Sequence, residues 1–107
     1  MTAQNVAPAP ADLENLVVRP HVHVRIRNLS GTIVVAVDEA TRELADTAED
    51  IWRATAPGRT VRQVAAVVAD LYGESVETVL PDVTEWVVDM YEAGFLTLRK
   101  PEGPVGA

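Results

Sequence analysis

The sequence contains no cysteine among its 107 residues. A disulfide framework, a thiolate metal site and a cysteine nucleophile are therefore excluded, and the absence fits a reducing cytoplasm. No apolar run approaches the roughly 20 residues that a membrane span requires. The first fifteen residues also lack the basic start and apolar stretch of a signal peptide. We therefore expect a cytoplasmic protein without a membrane partner.

Positive charge is scarce as well. Nine lysines and arginines stand against sixteen aspartates and glutamates, which gives a formal net charge of −7. The negative charge is concentrated after Thr47. Because an acidic chain repels phosphate backbones, nucleic acid is not expected as the main partner.

The composition of the chain is that of a globular protein, with 48% hydrophobic residues and a length that suits one domain with a modest core. Residues 1–15 and 100–107 lack hydrophobic periodicity, and we expect them to be flexible tails. The domain then spans 16–99. Within it the hydrophobic period changes once, from two over 21–46 to three or four over 47–94.

The first part of the domain predicts three short strands separated by turn residues. Residues 21–29 alternate strictly, and the Val- and Ile-rich segment 32–38 suits a more buried position. The segment 41–46 is short and weakly patterned, as edge strands often are. The short connections favour an antiparallel meander.

The second part predicts three helices. The first starts near Thr47, and Thr60 caps the second. Ser75 opens the third, but Pro81 is tolerated only near a first turn, so the regular part is expected from about 80 to 93. The order βββααα describes an α+β domain with a winged-helix-like arrangement, in which a three-stranded antiparallel sheet is followed by a three-helix bundle.

The stretch HVHVRIR raises the question of a metal or nucleic-acid site. On a strand, His21, His23, Arg25 and Arg27 would share one face. A stable metal site needs three or four ligands, and the chain has no other histidine and no cysteine, so no metal site is predicted. The third predicted helix carries acids and no base, which disfavours a nucleic-acid groove. A solvated cationic strand face is the preferred interpretation.

Catalytic groupings are not apparent in the sequence. A hydrolase needs a nucleophile, a base and an orienting group, whereas the two serines lie in turn and cap contexts. The segment PGRT follows a helix and is too short for a phosphate loop. We therefore predict no catalytic residue and no cofactor.

The third helix is more apolar than a surface helix needs to be. At 100° per residue, Val79, Val83, Trp86 and Met90 form a complete core stripe. A flank group widens the apolar arc to roughly 200°, about twice the usual width. Its members are Leu80, Thr84, Val87, Val88 and Tyr91. Either the helix is central in the fold, or this flank and the edge strand 41–46 form a groove that can capture an extended peptide.

Three segments follow one another along the chain: VVAVDEATRELADTAEDIW, GRTVRQVAAVVADLYG and VLPDVTEWVVDMYEAGFL. In order and spacing they resemble the PqqD-like family, the precursor-recognition elements of ribosomally made, modified peptides (RiPPs). The resemblance runs from about Val17 to Leu98. It implies that the leader segment of a precursor peptide binds as an added strand along the third strand, against the third helix. The bound precursor is then presented to a separate modifying enzyme.

Carried onto this sequence, the resemblance implies a binding edge and a helix wall. The edge is Arg42, Glu43, Leu44, Ala45 and Asp46, and the wall is the flank group of the third helix. Many relatives carry Leu-Asn at the position of Leu44-Ala45, so this chain lacks a polar side chain there. The implied enzyme partners include radical S-adenosylmethionine enzymes and lasso-peptide proteases or cyclases.

Two other classes of function remain open on the residues alone. One is a winged-helix regulator that binds DNA. The other is a structural subunit whose apolar helix flank is permanently buried against an enzyme.

Overall fold

The computed structural model describes residues 13–101. Its strands form two antiparallel sheets of three strands each. Sheet A has the order β5-β1-β6 and consists of β1 (Val17–Pro20), β5 (Arg59–Thr60) and β6 (Leu96–Arg99). Sheet B has the order β2-β3-β4 and consists of β2 (Arg25–Leu29), β3 (Thr32–Val37) and β4 (Ala40–Leu44). Three helices lie entirely within the described residues: α1 (Thr47–Thr55), α2 (Val61–Tyr72) and α3 (Val76–Glu92).

Sheet B is a meander joined by two-residue turns. Ser30 and Gly31 both have positive φ, 56° and 87°, as a type I′ turn requires. Asp38 has φ 52° in the second turn. The central strand β3 alternates between buried and half-buried residues, because its inner side chains enter the core and its outer ones do not.

The second and third helices begin at capping residues that the sequence identifies. Thr60 accepts a hydrogen bond from the backbone N–H of Gln63, and the Gln63 side chain accepts one from the backbone N–H of Thr60. Ser75 accepts from the backbone N–H of Thr78. These bonds satisfy N–H groups that the first turn of a helix leaves without partners. The second helix ends at Gly73, which is left-handed with φ 67°.

The core is built mainly from valine, with Phe95 as its largest fully buried side chain. The three helices and both sheets contribute to this one cluster. From α3 the buried residues are Val83, Val87 and Met90. The buried stripe of α3 is therefore centred between the two stripes that the sequence predicts.

Sheet A is a feature that the sequence does not predict. β1 pairs with β6 over four residues and with β5 over two, and Val17 lies opposite Arg99. The α+β class and the three helices are confirmed, but the arrangement differs from a single sheet followed by a helix bundle. The winged-helix arrangement stays a prediction.

Three expected boundaries also change. Residues 21–24 form a turn before β2 and not the start of a strand. Helix α3 begins at Val76 and carries Pro81 inside it, so the expected start near Leu80 is wrong. Leu13 is buried although it belongs to the expected tail 1–15. The rest of that tail up to residue 12, and residues 102–107, lie outside the described residues.

Within residues 13–101, the helices are too short or too polar for any of them to cross a bilayer.

Candidate functional site

Strand β4 is an edge of sheet B, because within residues 13–101 it pairs only with β3. Val37 lies opposite Ala40 across the two-residue turn, and the usual turn hydrogen bond makes this a hydrogen-bonded pair. Pairs alternate along an antiparallel ladder. The backbone N–H and C=O groups of Thr41 and Glu43 therefore point away from β3. A further strand can pair with them.

The side chains of β4 divide between the two faces of the sheet. Arg42 and Leu44 lie opposite Val35 and Ile33 on the inner face, where Leu44 is buried at 2% exposure. Arg42 is exposed, and its guanidinium carbon lies 5.4 Å from the centre of the Phe95 ring. A cation at this distance over an aromatic face is attracted by the ring.

The contact between Arg42 and Phe95 joins β4 to the C-terminal end of α3. Phe95 lies three residues after the end of the helix, and its backbone N–H donates to the Met90 carbonyl at 2.9 Å. Gly94, with φ 92°, turns the chain between them, and a Cβ built on it lies 3.8 Å from Cγ1 of Val37. The last turn of α3 and sheet B are thus held close together.

The last two residues of the predicted edge do not belong to the strand. β4 ends at Leu44, and Ala45 and Asp46 form the turn into α1. Asp46 has φ 55° and ψ −124° and makes no side-chain cap bond, although its carbonyl accepts from the N–H groups of Glu49 and Asp50. The edge that can accept a strand is therefore shorter than the sequence predicts.

The predicted helix wall is only partly accessible. Leu80, Thr84 and Val88 are half-buried, and Tyr91 is 47% exposed. Val87 has no exposure at all, so it packs in the core and can support the wall only from beneath. Tyr91, in the last turn before Phe95, is the most exposed side chain of the group.

The remaining surface of α3 is acidic. Its charged residues Asp82, Glu85, Asp89 and Glu92 are exposed. Together with Trp86 and Val88 they line an open cavity of about 750 Å³. Val88 therefore faces this acidic cavity. The negative charge of the cavity would repel a nucleic-acid phosphate.

The histidines are close together in the turn before β2. The ring centres of His21 and His23 lie 5.3 Å apart, and Nδ1 of His21 accepts from the backbone N–H of His23 at 3.1 Å. Residues 13–101 contain no cluster of three or more histidine and acidic side chains that could hold a metal ion.

Phe95 is the site residue that the sequence reasoning does not identify. It is the one phenylalanine in the chain, and it directly follows the glycine that ends the third helix. A large aromatic residue in that position often packs back over the helix end. That signal was available, but its pairing with Arg42 depends on the tertiary fold.

Comparison with known families places the chain in a class of accessory proteins that act in biosynthetic pathways without a catalytic role of their own. Its family is coenzyme PQQ synthesis protein D (PqqD), whose model matches residues 31–96, well over half of the chain. The chain belongs to this family, which binds precursor peptides and works with modifying enzymes in PQQ and RiPP biosynthesis. No curated protein and no solved structure matches the chain.

Proposed function

We propose that this protein captures the leader segment of a ribosomally made precursor peptide by strand addition to β4. It then presents the peptide to a separate modifying enzyme, and it catalyses no step itself. The observation that carries the proposal is the edge of β4, which has β3 as its one strand partner within residues 13–101. The backbone groups of Thr41 and Glu43 are turned away from the sheet there. An extended peptide satisfies these groups as a neighbouring strand does.

The apolar contacts of the leader come from the surface beside Phe95. The exposed ring of Tyr91 and the half-buried side chains of Thr84 and Leu80 form the accessible wall. Backbone pairing supplies affinity for any extended chain, whereas contacts with alternate side chains select the sequence. Arg42, which lies on the edge strand over Phe95, adds a positive charge for an acidic leader residue.

Proline substitutions test the strand addition directly. Glu43→Pro removes an N–H that points away from β3, so the ladder within sheet B keeps its bonds. The leader then loses a hydrogen bond and one of its carbonyls stays unpaired, which costs about 1–3 kcal/mol. We expect the Kd to rise by about tenfold or more. The measurement is fluorescence anisotropy with a labelled synthetic leader peptide. Its sequence is taken from a precursor peptide encoded next to the gene of this protein.

Ile26→Pro is the matched control, because it places the same substitution on the other free edge of sheet B. Ile26 and Val35 are opposite each other and form a non-hydrogen-bonded pair, by the same alternation. The Ile26 N–H therefore also points away from β3. We expect the control to bind the leader with unchanged affinity. Equal losses for both variants, or none for Glu43→Pro, would refute strand addition at β4. Thermal melts show whether each variant is folded.

A further inference from the structure

The basic side chains of this acidic protein are unevenly paired. Arg53 bonds Glu49 at 2.6 Å, and Arg62 bonds two carboxylates at 2.8 and 2.7 Å. The other seven cations have no carboxylate partner within residues 13–101. Arg42 and Arg59 bond backbone carbonyls, and five remain. They are Arg19, Arg25, Arg27, Arg99 and Lys100, and all lie on or directly after a strand.

Three of these cations surround one open cavity of about 510 Å³ on the outer face of sheet A. Arg19 lies opposite Thr97, and Arg99 lies opposite Val17 on the neighbouring strand. Paired residues share a face, so both guanidinium groups project on the side away from the core. Lys100 follows at the end of β6 and lines the same cavity.

Apolar side chains form much of the rest of this cationic pocket, beside Gly58 and Thr97. Val17 and Pro20 line it, as does Val22, which is 85% exposed. No carboxylate and no aromatic ring is among the described residues that line it. The pocket therefore combines three unneutralised positive charges with an apolar wall.

Gly58 leaves room for one of the cations. A Cβ built on this glycine would lie 2.6 Å from the guanidinium carbon of Arg19. Arg19 thus rests directly on the backbone at Gly58, where a side chain would displace it. The left-handed φ of 83° at Gly58 also favours glycine at this position.

We propose that the cationic pocket docks an acidic segment of the modifying enzyme. The inference rests on the proposed function, since an adaptor that holds a leader on β4 needs a separate surface for the enzyme. Sheet A provides that surface because its strands are distinct from sheet B. Its three cations, Arg19, Arg99 and Lys100, all lie outside the matched residues 31–96.

The chemistry of the pocket favours a carboxylate-bearing segment over nucleic acid. The described lining offers no ring on which a base could stack, and the net charge of −7 repels an extended polyanion. A short acidic segment needs attraction only over about 8 Å, the screening length at physiological salt. Its apolar neighbours can contact Val17, Pro20 and Val22.

The test uses a capped hexapeptide of alternating glutamate and valine, with glutamine in place of glutamate as the control peptide. Each is titrated into the full chain and followed by amide chemical shifts. We expect shifts at Gly58 and Thr97, and affinity for the glutamate peptide about tenfold above that for the glutamine peptide. The double variant Arg99→Gln with Lys100→Gln should abolish this difference.

Arg25→Gln with Arg27→Gln is the matched control, because it removes two equally unpaired charges from sheet B. It should keep the preference for the glutamate peptide within about twofold of wild type. An equal loss of the preference for the glutamate peptide in both double variants would refute carboxylate binding in the pocket. Equal affinity of the wild type for the two peptides would refute it as well. If a short DNA duplex shifts the amides of Gly58 and Thr97 and displaces the glutamate peptide, the proposal of an acidic protein segment as the partner is wrong.

The two proposals fail separately. Leader binding at β4 shifts the amides of Thr41 and Glu43, whereas the acidic peptide shifts those of Gly58 and Thr97. If the acidic peptide binds and the leader does not, the pocket is a carboxylate site and the adaptor role is wrong. If the leader binds and the acidic peptide does not, the adaptor role stands and the docking surface is wrong.

Discussion

Val87 and Tyr91 belong to the same predicted wall, but the structure gives them different roles. Val87→Ala removes two fully buried methyl groups, at about 0.8 kcal/mol each. The cavity left behind adds to this cost, so the free energy of unfolding should fall by roughly 2–3 kcal/mol. For a domain of this size, that lowers Tm by roughly 10–20 °C. Tyr91→Ala changes a half-exposed ring and should cost at most about 1 kcal/mol of stability.

The two substitutions should affect leader binding in the opposite order to stability. Tyr91→Ala removes an accessible aromatic contact and should weaken binding by about fivefold or more, whereas folded Val87→Ala should keep most of its affinity. Thermal and urea melts followed by circular dichroism give the stabilities, and anisotropy at a temperature well below both midpoints gives the affinities. A Val87→Ala melt within about 2 °C of wild type would refute its place in the core. Unchanged affinity in Tyr91→Ala would remove Tyr91 from the site.

Two further predictions concern the helices. Thr60→Ala breaks the reciprocal cap of α2 and should cost about 1 kcal/mol in a urea melt, while Thr60→Ser keeps most of the stability; equal melts for both would contradict the role of the cap. The hydrogen bond that the Tyr72 hydroxyl donates to Asp50 raises the pKa of Tyr72. The bond should therefore stabilise the folded protein below pH ~10, and this stabilisation should be lost as the pH rises through the raised pKa. In a Tyr91→Phe background, phenolate absorbance should therefore titrate above pH ~10, and Asp50→Ala should lower the midpoint; an unchanged midpoint would show that the bond has no effect in solution.

The sequence predicts the parts of the fold whose hydrophobic period is unbroken. Sheet B follows from the alternation over β2, the Val- and Ile-rich β3 and the short connections, and α2 follows from its valine stripe and the cap at Thr60. Alternation also continues through His21 and Val24, yet the Val24 N–H donates to the His21 carbonyl at 3.0 Å and closes a turn. Period two is compatible with either conformation, so this segment could not be assigned from its pattern.

Sheet A could not be predicted because its strands have only two to four residues. Such strands are too short to show a period, and β1 finds its partners far along the chain. The start of α3 was also misplaced. Pro81 loses one backbone hydrogen bond within the helix, but it is exposed, so water can bond the carbonyl that it leaves free.

The position of β4 at the edge of sheet B follows from the sequence more directly than the accessible flank of α3 does. A weakly patterned strand at the end of a meander is an edge in most arrangements, and β4 is one. Which flank of α3 stays accessible depends on how α2 and the two sheets cover it. The orientation of the helix about its axis places Val87 in the core and Tyr91 at the surface. The sequence pattern does not distinguish these two positions.

The pairing of Val17 with Arg99 joins the first and last strands of the domain. Closing so long a loop is entropically costly, and the cost is recovered only when the intervening chain is already folded. The amides between β1 and β6 should therefore exchange with solvent only through opening of most of the molecule, while β4 exchanges through local fluctuations. On this expectation, the first and last described strands lie in a slowly exchanging region, whereas the β4 edge opens locally and separately from them.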